Sequence, residues 1–215
     1  LHPHHGLLSP MEGRDAVPAP VNQKTADMEK YLQSAKRQFE YYKMLGEQTF
    51  SQVTDGQLFV VPAPESNSIS VLVQHLHGNM LSMWTDFLTS DGEKAWRKRD
   101  EEFEEVVNSR AELLRLWEEG WACLFAALNN LKEEDLGRAV YIRNQGHSVV
   151  DAINRQLCHY AYHVGQIVFV GKLMKKEEWS SLSIPRDQSG TYNKDKFSQE
   201  KGMRHFTDEF LKKRE

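Results

Sequence analysis

SVVDAINRQLCHYAYHVGQIVFVG, residues 148–171, reads as one amphipathic helix. Val149, Ile153, Tyr160, Val164, Ile167 and Gly171 return at helical steps, as the residues of a single buried face do. Ser148 precedes them, and Ser148-x-x-Asp151 has capping-box spacing with Asp in place of the usual Glu. His159 and His163 lie four apart and project about 40° from one another on adjacent turns. Two imidazoles so placed reach a single divalent ion at bond lengths of about 2.0–2.1 Å. Gln166 extends this polar stripe along the border of the apolar face. A ligand held there stays reachable.

Outward from this helix, three more amphipathic segments follow the same period. Upstream, residues 106–131 place Leu113, Leu114, Trp117, Trp121, Leu124, Phe125 and Leu128 inward. Before them, Ile69, Leu72, Val73, Leu76, Met80, Met83, Trp84 and Phe87 form a face that starts after the capping cluster Ser66-Asn67-Ser68 and stops at Asp91-Gly92. The first helix runs from about Asp27 to Val53, with Met28, Leu32, Ala35, Phe39, Tyr42, Leu45, Thr49 and Val53 inward. Four such helices make an all-α four-helix bundle the natural packing solution. The connections at 93–105 and 132–147 are long, so at least one crosses over. The β-prone run Ala139–Ile142 before Gly146 predicts a small hairpin ahead of the last long helix. The charge-dense 93–105 stretch, EKAWRKRDEEFEE, reads as a solvated surface anchored by Trp96 and Phe103.

Three divisions are expected: a flexible leader at 1–26, a helical domain at 27–197 and an extension at 198–215 that contains a short surface helix. Pro185 and Gly190 mark an irregular segment. The leader is broken by prolines, and Met28 would be a sensible native start. His2, His4 and His5 lie in it without the preorganisation of a metal site.

The second helix carries a polar stripe of its own: His75, Asn79, Ser82 and Asp86 recur at steps of four, three and four. His77 projects about 200° away from His75, nearer the apolar centre. Spacing alone does not choose between these two histidines, although polar neighbours lean toward His75. The residues between His159 and His163 are Tyr160, Ala161 and Tyr162, so HExxH is absent and zincin-type proteolysis is disfavoured. Cys158 is turned about 100° from its neighbour His159, the wrong geometry for a thiol–imidazole pair. No glycine-rich phosphate loop and no GxSxG elbow occurs.

Composition narrows the classes further. Hydrophobic residues make up 40% and charged residues 27% of 215, the balance of one globular domain. A net charge of -4 and a pI near 6.2 give no nucleic-acid-binding footprint. No apolar run approaches the roughly 18 residues that cross a membrane, and no signal peptide stands out. The two cysteines, Cys123 and Cys158, fit a reducing compartment, and the cytoplasm is the expected location.

ISVLVQHLHGNM (69–80), HYAYHVGQI (159–167) and the order of the four helices resemble the DinB-like superfamily, which includes bacillithiol S-transferases. The likeness covers roughly residues 28–197. HLHGN, FLTSDGEKAWRKRDEEF and SIPRDQSGTYNK look closest to a branch of uncharacterised bacterial proteins within it. The resemblance implies a four-helix bundle that holds nickel or zinc through one histidine of the second helix and the HxxxH pair. Carried over, the ligands are His75, His159 and His163, with Asn79, Asp86 and Gln166 as orienting or substrate-contacting candidates. It also implies a homodimer, and thiol transfer from a small-molecule thiol to an electrophile as the leading chemistry. Metal-water hydrolysis comes second. A non-catalytic, stress-associated metal-binding dimer and a metal-free bundle for partner binding are the other readings. No residue stands out as a separate catalytic base.

Overall fold

The computed structural model describes residues 21–212. The leader as far as residue 20, with His2, His4 and His5, and residues 213–215 lie outside the described residues. Those described are mostly helical: α1 (Val21–Gln52), α2 (Ile69–Trp84), α3 (Arg110–Asn130), α4 (Val149–Lys175), α5 (Ser189–Ser198) and α6 (Asp208–Leu211). One antiparallel hairpin, β1 (Ala139–Ile142) and β2 (Gln145–Ser148), precedes α4 with Ile142 opposite Gln145.

Serine caps start three of the long helices. Ser68, Ser109 and Ser148 accept from the backbone N–H groups of Val71, Glu112 and Asp151 at 3.2, 3.3 and 3.1 Å. The first helix begins at Val21, six residues before the Asp27 expected from the apolar period. No helix breaker follows Pro20, and the good helix formers Gln23, Lys24 and Ala26 carry the helix back beyond the start of the apolar period. α3 starts later than its pattern suggested, at Arg110. Its buried stripe runs through Leu113, Leu116, Trp117, Trp121, Leu124 and Leu128, whereas Leu114, expected inward, is exposed. One position along a helix is a 100° turn, enough to leave the core.

α1 packs on α3 and α4, and α2 packs on α3 and α4. One aromatic ring from each long helix meets in the centre: Phe39, Trp84, Trp121 and Tyr160. Phe39 lies 6.2, 6.4 and 5.9 Å from the other three ring centroids. Every apolar position expected on α4 is buried. This fixes the rotation of α4 and so the direction in which His159 and His163 point.

The irregular segment expected around 185–190 gives way at once to α5. The C-terminal stretch folds back on α1. Tyr41 packs against Phe206 and Phe210 with centroids 5.8 and 5.2 Å away, and Thr207 is fully buried. Among the described residues, no helix is long and apolar enough to cross a membrane.

The hairpin turn is held from outside. Arg143 and Asn144 both have positive φ, 54° and 62°, a type I′ arrangement that arginine adopts reluctantly. Asp91 Oδ1 accepts from Arg143 N and Glu93 N, and Oδ2 from Asn144 N, each at 2.8 Å. Gly92 N donates to Tyr141 O at 2.8 Å. The connection after α2 and the hairpin before α4 therefore form one wall.

Candidate metal centre

Three histidines converge where α2 faces α4. One ring nitrogen from each of His75, His159 and His163 lies within 4.8 Å of the other two, so the group is positioned to hold a metal ion. His75 Nε2 and His159 Nε2 are 3.3 Å apart, and the His163 ring centroid lies 4.7 Å from each of the other two. Two nitrogen lone pairs this close repel one another unless a proton or cation lies between them.

The tautomers follow from the partners. His75 is 3% exposed, and its Nδ1 sits 2.9 Å from Glu102 Oε2. A carboxylate only accepts, so Nδ1 carries the hydrogen and Nε2 presents its lone pair toward the cluster. His163 Nδ1 donates to Gln166 Oε1 at 2.8 Å, leaving its Nε2 lone pair likewise available. Burial, then the His163 and His75 rings and the positive charges of Arg97 and Arg155, push His159 down to about 3. Burial, reinforced by His75 and opposed by Gln166, pushes His163 down to about 4. Both are neutral near pH 7, the protonation state a metal ligand needs.

Glu102 is the residue that sequence reasoning missed. It lies in the 93–105 stretch read as solvated surface, yet it is buried at 7% exposure within a short 3-10 turn, Asp100–Phe103. Arg97 grips its carboxylate with two bonds, Nε to Oε1 at 2.7 Å and Nη2 to Oε2 at 2.8 Å. Burial works against its ionisation, but the hydrogen bonds from Arg97 and His75 prevail and hold it below the usual carboxylate range. Gly78 makes the approach possible: a Cβ there would lie 2.3 Å from Glu102 Oε1. Phe103 then stacks on His75 with centroids 4.7 Å apart and an interplanar angle of 30°. Of the two expected anchors, Phe103 takes that role, while Trp96 is 56% exposed. The sequence signal was faint: an Arg and a Glu five apart beside an aromatic, inside a run of like composition.

His77 turns the other way. Its Nε2 lies 3.3 Å from a Glu119 carboxylate oxygen on α3 without hydrogen-bond alignment. The choice left open by helical spacing is thereby made in favour of His75.

Of the three supporting candidates, Asn79 lines the cavity at the histidines and Gln166 orients His163. Asp86 does not come to this site. α2 ends at Trp84, Asp86 has φ 49°, and it lines a separate cavity with Trp84, Phe87 and Leu131. Asn79 Oδ1 accepts from the Tyr160 hydroxyl at 2.9 Å, which in turn accepts from Trp84 Nε1 at 2.9 Å. This chain ties the aromatic core to the cavity wall.

The cavity over the three histidines has a volume of about 290 Å³, between α2, α4, the 91–103 connection and the hairpin. Among the described residues, no other His, Cys, Asp or Glu joins the three-histidine group. Three imidazoles open to a cavity suit a divalent ion that keeps coordination positions for small molecules. No curated protein matches the chain. Residues 27–188, well over half of the sequence, match the family described as Protein of unknown function (DUF1572), and the chain belongs to that family.

Proposed function

We propose that this protein is a divalent-metal-dependent enzyme, a four-helix bundle of the DinB-like kind in which His75, His159 and His163 hold nickel or zinc. Its leading reaction joins a small-molecule thiol to an electrophile. The observation that carries the reading is the convergence of three imidazoles on a cavity, with no fourth His, Cys, Asp or Glu joining them among the described residues. A divalent ion so held supplies Lewis acidity and brings the pKa of a bound thiol or water toward neutrality.

The chain's own residues set the stage for that chemistry. Glu102 fixes the His75 ring, and Gln166 fixes the His163 ring. Phe103 covers His75 and limits water access from that side. Glu93, the carboxylate that lines the cavity, is engaged by Arg97 and Arg143 at 3.2 and 3.0 Å. Thiol transfer as the specific reaction is supported by the DinB-like resemblance. Hydrolysis is favoured instead by Gln156, whose buried Oε1 lacks a partner and would orient a water.

An apolar stripe on the outer face of α4, Tyr162, Phe169 and Leu173, supports a homodimer. Cys123 and Cys158, both free thiols, support a cytoplasmic location.

Elemental analysis of wild type and His159→Ala, paired with conjugation assays over a panel of thiols and electrophiles, tests the reading. The expected result is about one equivalent of nickel or zinc in wild type and conjugation that His159→Ala abolishes along with the metal. Wild type unable to take up either ion overturns the metal site. Stoichiometric metal without conjugation or hydrolysis overturns the enzyme and favours a metal-binding scaffold.

A further inference from the structure

The cavity over the histidines has an excess of positive charge in its walls. Arg97, Arg99, Arg143 and Arg155 line it, against Glu93 as the single lining carboxylate. Glu93 is shared by Arg97 and Arg143, and Glu102 is already held by Arg97. Arg155 has no carboxylate partner among the described residues. Its Nη1 lies 3.1 Å from His147 Nε2, and because guanidinium only donates, that nitrogen is an acceptor and brings no negative charge. Asp151, one turn earlier on α4, accepts from the Ser148 hydroxyl through Oδ2 at 2.7 Å. Arg99 lies over the Phe103 ring at 5.3 Å, with Asp100 4.0 Å away.

Two amides add polar contacts without charge. Asn79 Oδ1 is occupied by Tyr160, so its NH₂ end remains for the occupant. Gln156, 4% exposed and lining the same cavity, has a buried Oε1 with no partner. That oxygen only accepts, so it makes no favourable contact with an anionic oxygen and leaves anion binding to the arginines.

We propose that the cavity binds a small molecule through an oxyanionic group, carboxylate or phosphate, and that Arg155 is the residue that selects it. The other end of that molecule meets the histidine cluster, as the proposed metal chemistry requires. The guanidinium fork matches two oxygens of either group. A volume of about 290 Å³ sits at the small end of ligand sites, which limits the occupant to a compact metabolite. Arg155 is exposed at the cavity rim, so its attraction for the anion is partly screened and salt-sensitive.

The test is calorimetric titration of the full chain reconstituted with zinc, its metal content checked in every sample. The probes are 3-mercaptopropionate, 2-mercaptoethanol and cysteamine, then succinate and inorganic phosphate, each against wild type, Arg155→Gln and Arg155→Lys. Mercaptopropionate is expected to bind at least about tenfold more tightly than mercaptoethanol, with cysteamine weakest. That advantage disappears in Arg155→Gln, survives in part in Arg155→Lys and shrinks at high salt. Succinate and phosphate tell which oxyanion is preferred. Equal affinity for mercaptopropionate and mercaptoethanol overturns the oxyanion site while leaving the thiol reading intact. Binding of succinate or phosphate through Arg155, with mercaptopropionate no tighter than succinate and mercaptoethanol not bound, supports the oxyanion site and overturns the thiol reading. Anion affinity unchanged in Arg155→Gln overturns the role of Arg155, and no binding by any probe at full zinc occupancy overturns both readings.

Discussion

His75 and Glu102, 27 residues apart, meet through a 2.9 Å bond between Nδ1 and Oε2 with both side chains buried. The bond links the helix that carries a candidate ligand to a connection whose sequence reads as solvated charge. It fixes which nitrogen of His75 faces His159 and His163. An orienting carboxylate of this kind raises ligand basicity, and its loss typically lowers metal affinity by about 10- to 100-fold.

Glu102→Gln keeps the shape but removes the charge. Zinc affinity measured by competition with a chelator is expected to fall by about 10- to 100-fold while the fold persists. Glu102→Ala goes further, because Arg97, with a side chain only 5% exposed, loses its bidentate partner. That variant is expected to lose about 3–5 kcal/mol in urea unfolding. Equal zinc affinity in wild type and Glu102→Gln would show that the bond does not tune the site.

Gly78→Ala tests the same bond from the opposite side. The added methyl meets the Glu102 carboxylate, so the carboxylate is displaced from His75. Zinc affinity should drop as in Glu102→Gln, and the double variant should be little worse than either single one. Full additivity in that cycle would mean that Gly78 acts elsewhere.

His75→Ala and His77→Ala separate two histidines one residue apart. The first is expected to abolish stoichiometric metal, and the second to retain it, because His77 faces Glu119 on α3. Metal content by elemental analysis decides; loss of metal in His77→Ala alone would reverse the assignment.

Asp91 makes the hairpin wall sensitive to acid. Burial of its carboxyl opposes ionisation, but the backbone N–H groups of Asn144, Glu93 and Arg143, helped by Lys94, hold it below the usual carboxylate range. A depressed folded-state pKa contributes stability that is complete above the unfolded value, about 3.9, and fades as pH falls through the folded one. Asp91→Ala is expected to lose about 1–2 kcal/mol at pH 7, with the gap to wild type closing below about pH 4. Amide exchange at Arg143 and Asn144 should accelerate in the variant. Unchanged exchange there would refute the clamp.

Tyr160→Phe removes the hydroxyl between Trp84 and Asn79. The buried indole N–H loses its acceptor, and a cost of about 1–3 kcal/mol is expected in thermal or urea unfolding. Metal content should stay at the wild-type value, since the ring itself remains in place. A variant as stable as wild type would mean that the chain of hydrogen bonds carries no weight.

Much of the architecture was legible in local pattern. The buried face of α4, the serine caps at Ser68 and Ser148 and the hairpin at 139–148 all follow from spacing and residue type within a few positions. Leu114 and the start of α1 were not, because a face shifts by 100° with each residue and polar helix formers extend a helix without marking a core. Asp86 continued a polar stripe only on paper, since the helix ends two residues before it.

The sequence by itself determined that His159 and His163 project together, since a four-residue step on a helix leaves no other outcome. Only the tertiary structure decided that His75, not His77, completes the group, that Glu102 and Arg97 leave solvent to orient it, and that Arg155 stands at the cavity wall with no carboxylate partner among the described residues. Helical period is set by neighbouring backbone geometry, whereas the burial of a charge depends on which distant segment packs over it. For Glu102 that segment is α2, brought near by the absence of a side chain at Gly78.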